Sequence, residues 1–244
     1  MSDYDPTSYG AGIADEYDEI YDEAFDTDGA VACLAELAGG GPVLELGVGT
    51  GRLALPLHAR GVAVHGVDAS VDMLERLAAK PGGAEVPVTV GDFAEVSVPG
   101  EFSLVVLAVH TIFALPSQDA QVRCFENAAR HLGRGGRFVV EAWVPDVTEF
   151  VHGPSVRPRA VGGNRVALVV AEHDPVGQRM TTTQVHLSEA GVRLHPANHR
   201  YAWPPELDLM GRLAGFTLEH RWEDWRRRPF VAASPAHVSV YRLP

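Results

Sequence analysis

The segment with the clearest chemical meaning is Val43-Leu44-Glu45-Leu46-Gly47-Val48-Gly49-Thr50-Gly51. A short apolar run leads into three glycines spaced two apart. Glycines so placed let the backbone turn sharply and let a ligand lie against it. A helix opening behind them presents free N–H groups and positive partial charge to an anionic group. Asp68 closes the next apolar run, 21 positions after Gly47, where a carboxylate can accept hydrogen bonds from two ribose hydroxyls. Together these residues describe a site for a nucleoside carrying an anionic tail. A dinucleotide is the poorer fit. Its fingerprint wants Gly-x-Gly-x-x-Gly, and here the third glycine comes one position early, leaving Arg52 where a helix must press on a strand.

Such a turn needs a strand before it and a helix after it, and the chain supplies both repeatedly. Pro42–Leu46, Val62–Val67, Val86–Val90, Phe102–Val109 and Arg137–Trp143 predict strands. Gly51–Arg60 (bent by Pro56), Ser70–Lys80 and Ser117–Leu132 predict intervening helices. Gly133-Arg134-Gly135-Gly136 reads as a turn. A helix at Pro205–Ala214 and strands at Thr217–Trp222 and His237–Arg242 come later. The alternation predicts an α/β fold with a Rossmann-like, seven-stranded, mostly parallel sheet. Helical patterning is missing in between: Val161–Ala171, Gln178–Leu187 and Val192–Tyr201 alternate like strands and predict an inserted antiparallel β lid. Ser8–Ala24 sets Tyr9, Ile13, Tyr17, Ile20 and Tyr21 at helical spacing, and Ala30–Leu37 is a further helix. The domain reading is an N-terminal helical lid at 1–38, a core at 39–150, the β lid at 151–203, and completion of the core sheet at 204–244.

Composition narrows the partners. The 244 residues are 46% hydrophobic and 21% charged, which suits a soluble globular chain with a full core. The net charge is −12, yet residues 1–30 hold ten acids and no base, so the remainder is near neutral. Clustered cations of the kind that track nucleic acid are missing; Arg226-Arg227-Arg228, beside Trp222 and Trp225, reads as a solvated surface run. No apolar stretch is long enough for a bilayer, and the acidic first residues lack a signal-peptide pattern. Cys33 and Cys124 form neither a disulfide framework nor a metal spacing, so no metal is expected. Nucleic acid and membrane are not expected as partners, and the cytoplasm is the expected compartment.

Glu45-x-Gly47-x-Gly49-x-Gly51 resembles the first motif of class I (seven-stranded) S-adenosylmethionine (SAM)-dependent methyltransferases. Val67-Asp68-Ala69-Ser70 with Met73-Leu74 resembles their second motif, Gly91-Asp92-Phe93 their adenine contact, and Val105 to His110 their fourth strand. The resemblance covers residues 40–143 well and the C-terminal strands more loosely. It implies SAM as cofactor and S-adenosylhomocysteine as product. It implies that Gly47, Gly49 and Gly51 line the methionine part, that Asp68 holds the ribose, and that Ala69 and Met73 lie against the adenine. Asp92, beside Phe93, would accept from the adenine amino group, and the backbone near Val109 would face the methionine amino group. Glu45 is expected either to meet the ligand or to hold the loop through backbone bonds. Met73 and Phe93 fit the core equally well.

The place after the fourth strand reads Ala108-Val109-His110-Thr111, unlike the Asn-Pro-Pro-Tyr type motif of base-modifying relatives. The lids resemble those of small-molecule N-methyltransferases of bacterial natural-product pathways, such as those acting on amino sugars and lincosamide antibiotics. The resemblance thus implies a small-molecule acceptor, an amine nitrogen first and a sugar or phenol hydroxyl as the alternative. Tyr9, Tyr17, His110 and Phe113 are expected around the acceptor. Tyr9 would accept a hydrogen bond from an amine and His110 from a hydroxyl; Tyr17 could instead touch the cofactor, and His110 reads equally well as a plain strand-end histidine. A homo-oligomer through the β lid is expected, because a small sheet needs its face or edge covered. Two readings of other classes stay open: a nicotinamide-dependent reductase, and a SAM-binding module without catalysis.

Overall fold

Apolar runs covered on both faces become the inner strands of one sheet, and the glycine- and proline-rich breaks between them become its connections. In chain order the elements are α1 (Thr27–Ala38), β1 (Val43–Leu46), α2 (Ala54–Ala59), β2 (Val64–Asp68), α3 (Val71–Ala79), β3 (Val88–Val90), β4 (Phe102–Leu107), α4 (Gln118–His131), β5 (Leu132–Trp143), β6 (Ser155–Gly162), β7 (Arg165–Asp174), β8 (Arg179–Ser188), β9 (Gly191–Arg200), α5 (Pro204–Leu213), β10 (Thr217–Trp222) and β11 (Ala236–Arg242). This computed structural model describes residues 25–150, 153–162 and 164–244. The predicted helix at Ser8–Ala24, with Tyr9 and Tyr17, lies outside the described residues.

The seven-stranded sheet has the order β10-β11-β5-β4-β1-β2-β3. Its strands are parallel from β5 to β3, and β11 runs antiparallel to both β5 and β10. Successive residues of β4 serve opposite layers, as strand geometry demands: Val105 and Leu107 join the core around Phe125 and Phe138, while Leu104 and Val106 join the core around Leu34 and Leu57. Ser70 and Ser117 cap α3 and α4 by accepting from the N–H groups of Met73 and Ala120.

Two local expectations change. The inserted sheet has four strands, β6-β7-β8-β9, rather than three. The run Val161–Ala171 is divided between two of them, with Val161 facing Val166 and Gly162 facing Arg165 across a hairpin. The glycines at 133–136 lie inside β5 as an irregularity: pairing with β4 jumps from Phe102↔Leu132 to Leu104↔Arg137, and Gly135 takes φ +79°. The arginine run is exposed as expected, but it is also ion-paired, Arg226 with Asp26, Arg227 with Glu36 and Arg228 with Asp224.

Candidate active site

The chain leaves β1 for β2 on one side and reaches β4 on the other, so a crevice opens at the carboxyl ends of β1 and β4. Glu45, Gly47, Gly49, Thr50 and Arg52 line it from one side, Ala108, Val109 and Thr111 from the other. Gly47 and Gly49 hold φ +71° and +54°, the left-handed region that glycine enters without penalty. A Cβ on Gly47 would sit 2.8 Å from Thr111 Cγ2, whereas one on Gly49 would meet nothing within 4 Å. The Gly49 backbone therefore faces open space.

Asp68 ties this turn to the end of β2. Its Oδ2 accepts the Gly49 N–H at 2.8 Å and its Oδ1 accepts the Ser70 N–H at 2.9 Å. Burial pushes its pKa up, against the pull of those N–H groups. Each oxygen keeps a lone pair that a hydroxyl could use. Gly91 donates to the Asp68 carbonyl at 3.0 Å, which brings Asp92 beside this strand end; the Asp92 carboxylate is fixed by the Ala94 N–H at 2.8 Å. Ala69 is half-buried and Met73 buried close by. Phe93 packs into the core cluster around Phe125, the core alternative open to it from sequence.

The amino-acid end of SAM would bring one ammonium and one carboxylate, and two orphaned atoms match them. Glu45 is 4% exposed, and its Oε2 is buried with no hydrogen-bond partner among the described residues. Burial, opposed by the charge of Arg52, pushes its pKa up to about 8. Arg52 donates from Nη1 to Thr27 Oγ1 at 2.9 Å and stacks 5.0 Å from the Phe25 ring centre, but its buried Nη2 has no such partner among the described residues. A carboxyl for the ammonium and a guanidinium for the carboxylate thus flank the open glycine backbone, and the residues present fit the cofactor. Arg52 enters the sequence argument only as an obstacle to a dinucleotide; its position one residue after Gly51 was the available signal.

Past β4 the backbone is strained. Val109 and His110 take φ +52° and +61°, conformations that cost non-glycine residues about 1–3 kcal/mol each. Glu141 on β5 holds both: its Oε2 accepts the Val109 N–H at 2.8 Å, and its backbone carbonyl accepts the His110 N–H at 3.1 Å. Its Oε1 accepts from Trp225 Nε1 at 2.8 Å. Burial pushes the Glu141 carboxyl upward in pKa. The Val109 N–H is thus already engaged. Sequence reasoning misses Glu141, although a lone carboxylate within the apolar run Phe138–Trp143 must find partners.

The His110 ring lies 6.1 Å from that of Phe25, and its Nδ1 is buried with no partner among the described residues. Burial, aided by the Arg52 charge, lowers its pKa to about 4, so the imidazole is neutral near pH 7. Phe113, expected at the acceptor, is instead fully buried, its ring edge-on to Trp143 at 4.7 Å. The turn Thr111–Ala114 aims it into the core, where the Trp143 ring that it meets also lies against His199 and Tyr201. Tyr9 and Tyr17 lie outside the described residues. Among the described residues no group of His, Cys, Asp and Glu could hold a metal ion, and no helix is long and apolar enough to cross a membrane.

A family model described as a methyltransferase domain matches residues 43–136. The solved structure of the CcbJ methyltransferase from Streptomyces caelestis is 42% identical, with a TM-score of 0.90, and the match covers 98% of this chain and 99% of that one. The cypemycin N-terminal methyltransferase of a Streptomyces species is 26% identical over 238 residues, 94% of this chain and 95% of its own length. A dTDP-4-amino-2,3,4,6-tetradeoxy-D-glucose N,N-dimethyltransferase from Saccharopolyspora spinosa is 28% identical over 154 residues, 62% of this chain and 60% of its own.

Proposed function

The chain belongs to the SAM-dependent methyltransferases, and we propose that within this family it methylates an amine nitrogen of a small molecule in a natural-product pathway. The cofactor, when bound, supplies a methyl group on a sulfonium, open to in-line displacement. The protein's part is to hold the acceptor opposite that methyl and to free its lone pair. Positioning of this kind contributes about 7–11 kcal/mol at best. Asp68 and Asp92 would fix the nucleoside end, and Glu45 and Arg52 the amino-acid end.

One observation carries the choice of nitrogen: the buried His110 imidazole, its Nδ1 without a partner among the described residues, set between the crevice-lining Val109 and Thr111. With a pKa of about 4 it is a weak base, poorly suited to drawing a proton from a hydroxyl. It can still accept a hydrogen bond from an amine whose ammonium form is already disfavoured by desolvation. This revises the expected pairing of His110 with a hydroxyl acceptor. Tyr9 would serve as a second hydrogen-bond acceptor, with Tyr17 beside it or against the cofactor. The amino functions named in two of the relatives support the same choice. The test is incubation with SAM carrying a deuterated methyl and paired amines and alcohols of the same skeleton, read by mass spectrometry. Labelled amines are expected; labelled alcohols alone would overturn the reading.

The outer face of the inserted sheet supports self-association. Val156, Val161, Val192 and Leu194 are 60–78% exposed there, beside Leu168 and Val185 in the same register. An apolar sheet face of this kind calls for cover, and a second copy in the cytoplasm is the proposed partner. Sedimentation at micromolar concentration should show an oligomer; a monomer would refute this.

A further inference from the structure

The inner face of the inserted sheet differs in kind from its outer face. Cross-strand register places His173, Met180 and His199 in one row, Ser155, Ala171, Thr182 and Ala197 in the next, and Val169, Gln184 and His195 in a third. The rows advance away from the main sheet, because His199 lies edge-on to Trp143 at 6.5 Å and β9 packs on the turn Thr111–Ala114. Three atoms on this face, Ser155 Oγ, Gln184 Oε1 and His199 Nδ1, are buried with no hydrogen-bond partner among the described residues.

We infer that Gln184 and His199, with Ser155 in the row between, form the specificity wall for the acceptor, and that the acceptor presents hydroxyl or N–H donors to it beyond the amine that is methylated. The inference rests on the methyl-transfer reading above. A buried polar atom with no partner is disfavoured, and the simplest remedy is a group on the molecule that the lid covers. Gln184 Oε1 can only accept, so the group that meets it must donate; a carboxylate or a phosphate diester at that point would face an oxygen. The wall is reached from the strand ends, with Gln184 two rows beyond His199, about 13 Å along the strands. An acceptor touching both is therefore longer than the amine alone. Arg157, which pairs across β6 and β7 with Val169, is engaged by Glu149 at 3.5 Å and does not make the wall an anion site.

The test uses the full chain loaded with S-adenosylhomocysteine and measures binding of cyclohexylamine against ring amines carrying one, two and three added hydroxyls. Affinity should rise at least about tenfold from the bare amine to the best hydroxylated one, the gain that a single net hydrogen bond gives. Gln184→Met and His199→Phe should each shrink that preference below about threefold, with S-adenosylhomocysteine affinity within about twofold of the parent. Gln184→Glu, which keeps an acceptor oxygen, should retain it. Equal binding of bare and hydroxylated amines by the parent, or an undiminished preference in both variants, would overturn the wall. If the hydroxyl preference is present in binding while no amine is methylated, the wall stands and the transfer reading alone fails.

Discussion

At the ends of the parallel strands, Asp68 gives both its oxygens to the N–H groups of Gly49 and Ser70, and Glu141 gives both of its to Val109 and Trp225. On the inner face of the inserted sheet, Ser155, Gln184 and His199 keep buried polar atoms without partners among the described residues. The first region is complete as backbone geometry. Its carboxylates lock two turns, and among the described residues the buried atoms left unmatched there are those of Glu45, Arg52 and His110. The second region is a polar surface that an incoming molecule would complete. A fixed cofactor and a variable acceptor call for these two constructions.

Substitutions separate the two regions. Asp68→Ala should do the most damage, removing two charge-assisted bonds to the turn and those to the ligand. A loss of about 3 kcal/mol is expected, on the order of a hundredfold in SAM affinity, with circular dichroism unchanged. Calorimetry returning the parent affinity would detach Asp68 from the site. Glu141→Gln would set an amide N–H₂ against one of two N–H donors and loosen the strained pair at 109–110. About 2 kcal/mol should be lost, or a melting point lower by about 4–8 °C; an unchanged melt would deny that Glu141 holds the turn. Arg52→Ala should weaken SAM by about 1.5 kcal/mol, roughly tenfold, while methylthioadenosine, which lacks the amino-acid end, binds as before. Equal weakening of both ligands would mean that Arg52 acts through the fold.

The smallest effect is on pH. The Glu45 carboxyl is neutral in the free protein below about pH 8. A ligand ammonium beside it favours the charged form and lowers its pKa, so binding releases a proton below that point. SAM affinity should therefore rise severalfold from pH 6 to pH 8 and level off, and Glu45→Gln should flatten the profile. In the same window the contribution of Glu45 to the stability of the free protein falls as pH rises, because this carboxyl keeps its proton in the folded state and loses it in the unfolded one. A flat parent profile would remove Glu45 from the ammonium.

The parallel sheet is legible in sequence because its signals are local: an apolar run, a glycine stop, a helical stripe. The glycine turn and Asp68 are legible for the same reason. Glu141 is not, since its partners Val109 and Trp225 lie 32 and 84 residues away. Phe113 is misplaced because nearness to the end of β4 says nothing about how a left-handed pair at Val109 and His110 redirects the chain. The lid's polar wall depends on cross-strand register, which alternation alone does not fix; the missed hairpin between Gly162 and Arg165 shows how one reversal changes the strand count.

The most direct test of nitrogen methylation uses SAM labelled with carbon-13 in its methyl group and an accepted amine enriched in nitrogen-15. The product should show the labelled methyl coupled directly to the labelled nitrogen by NMR. A labelled methyl appearing on oxygen, with the amine unchanged, would contradict the account.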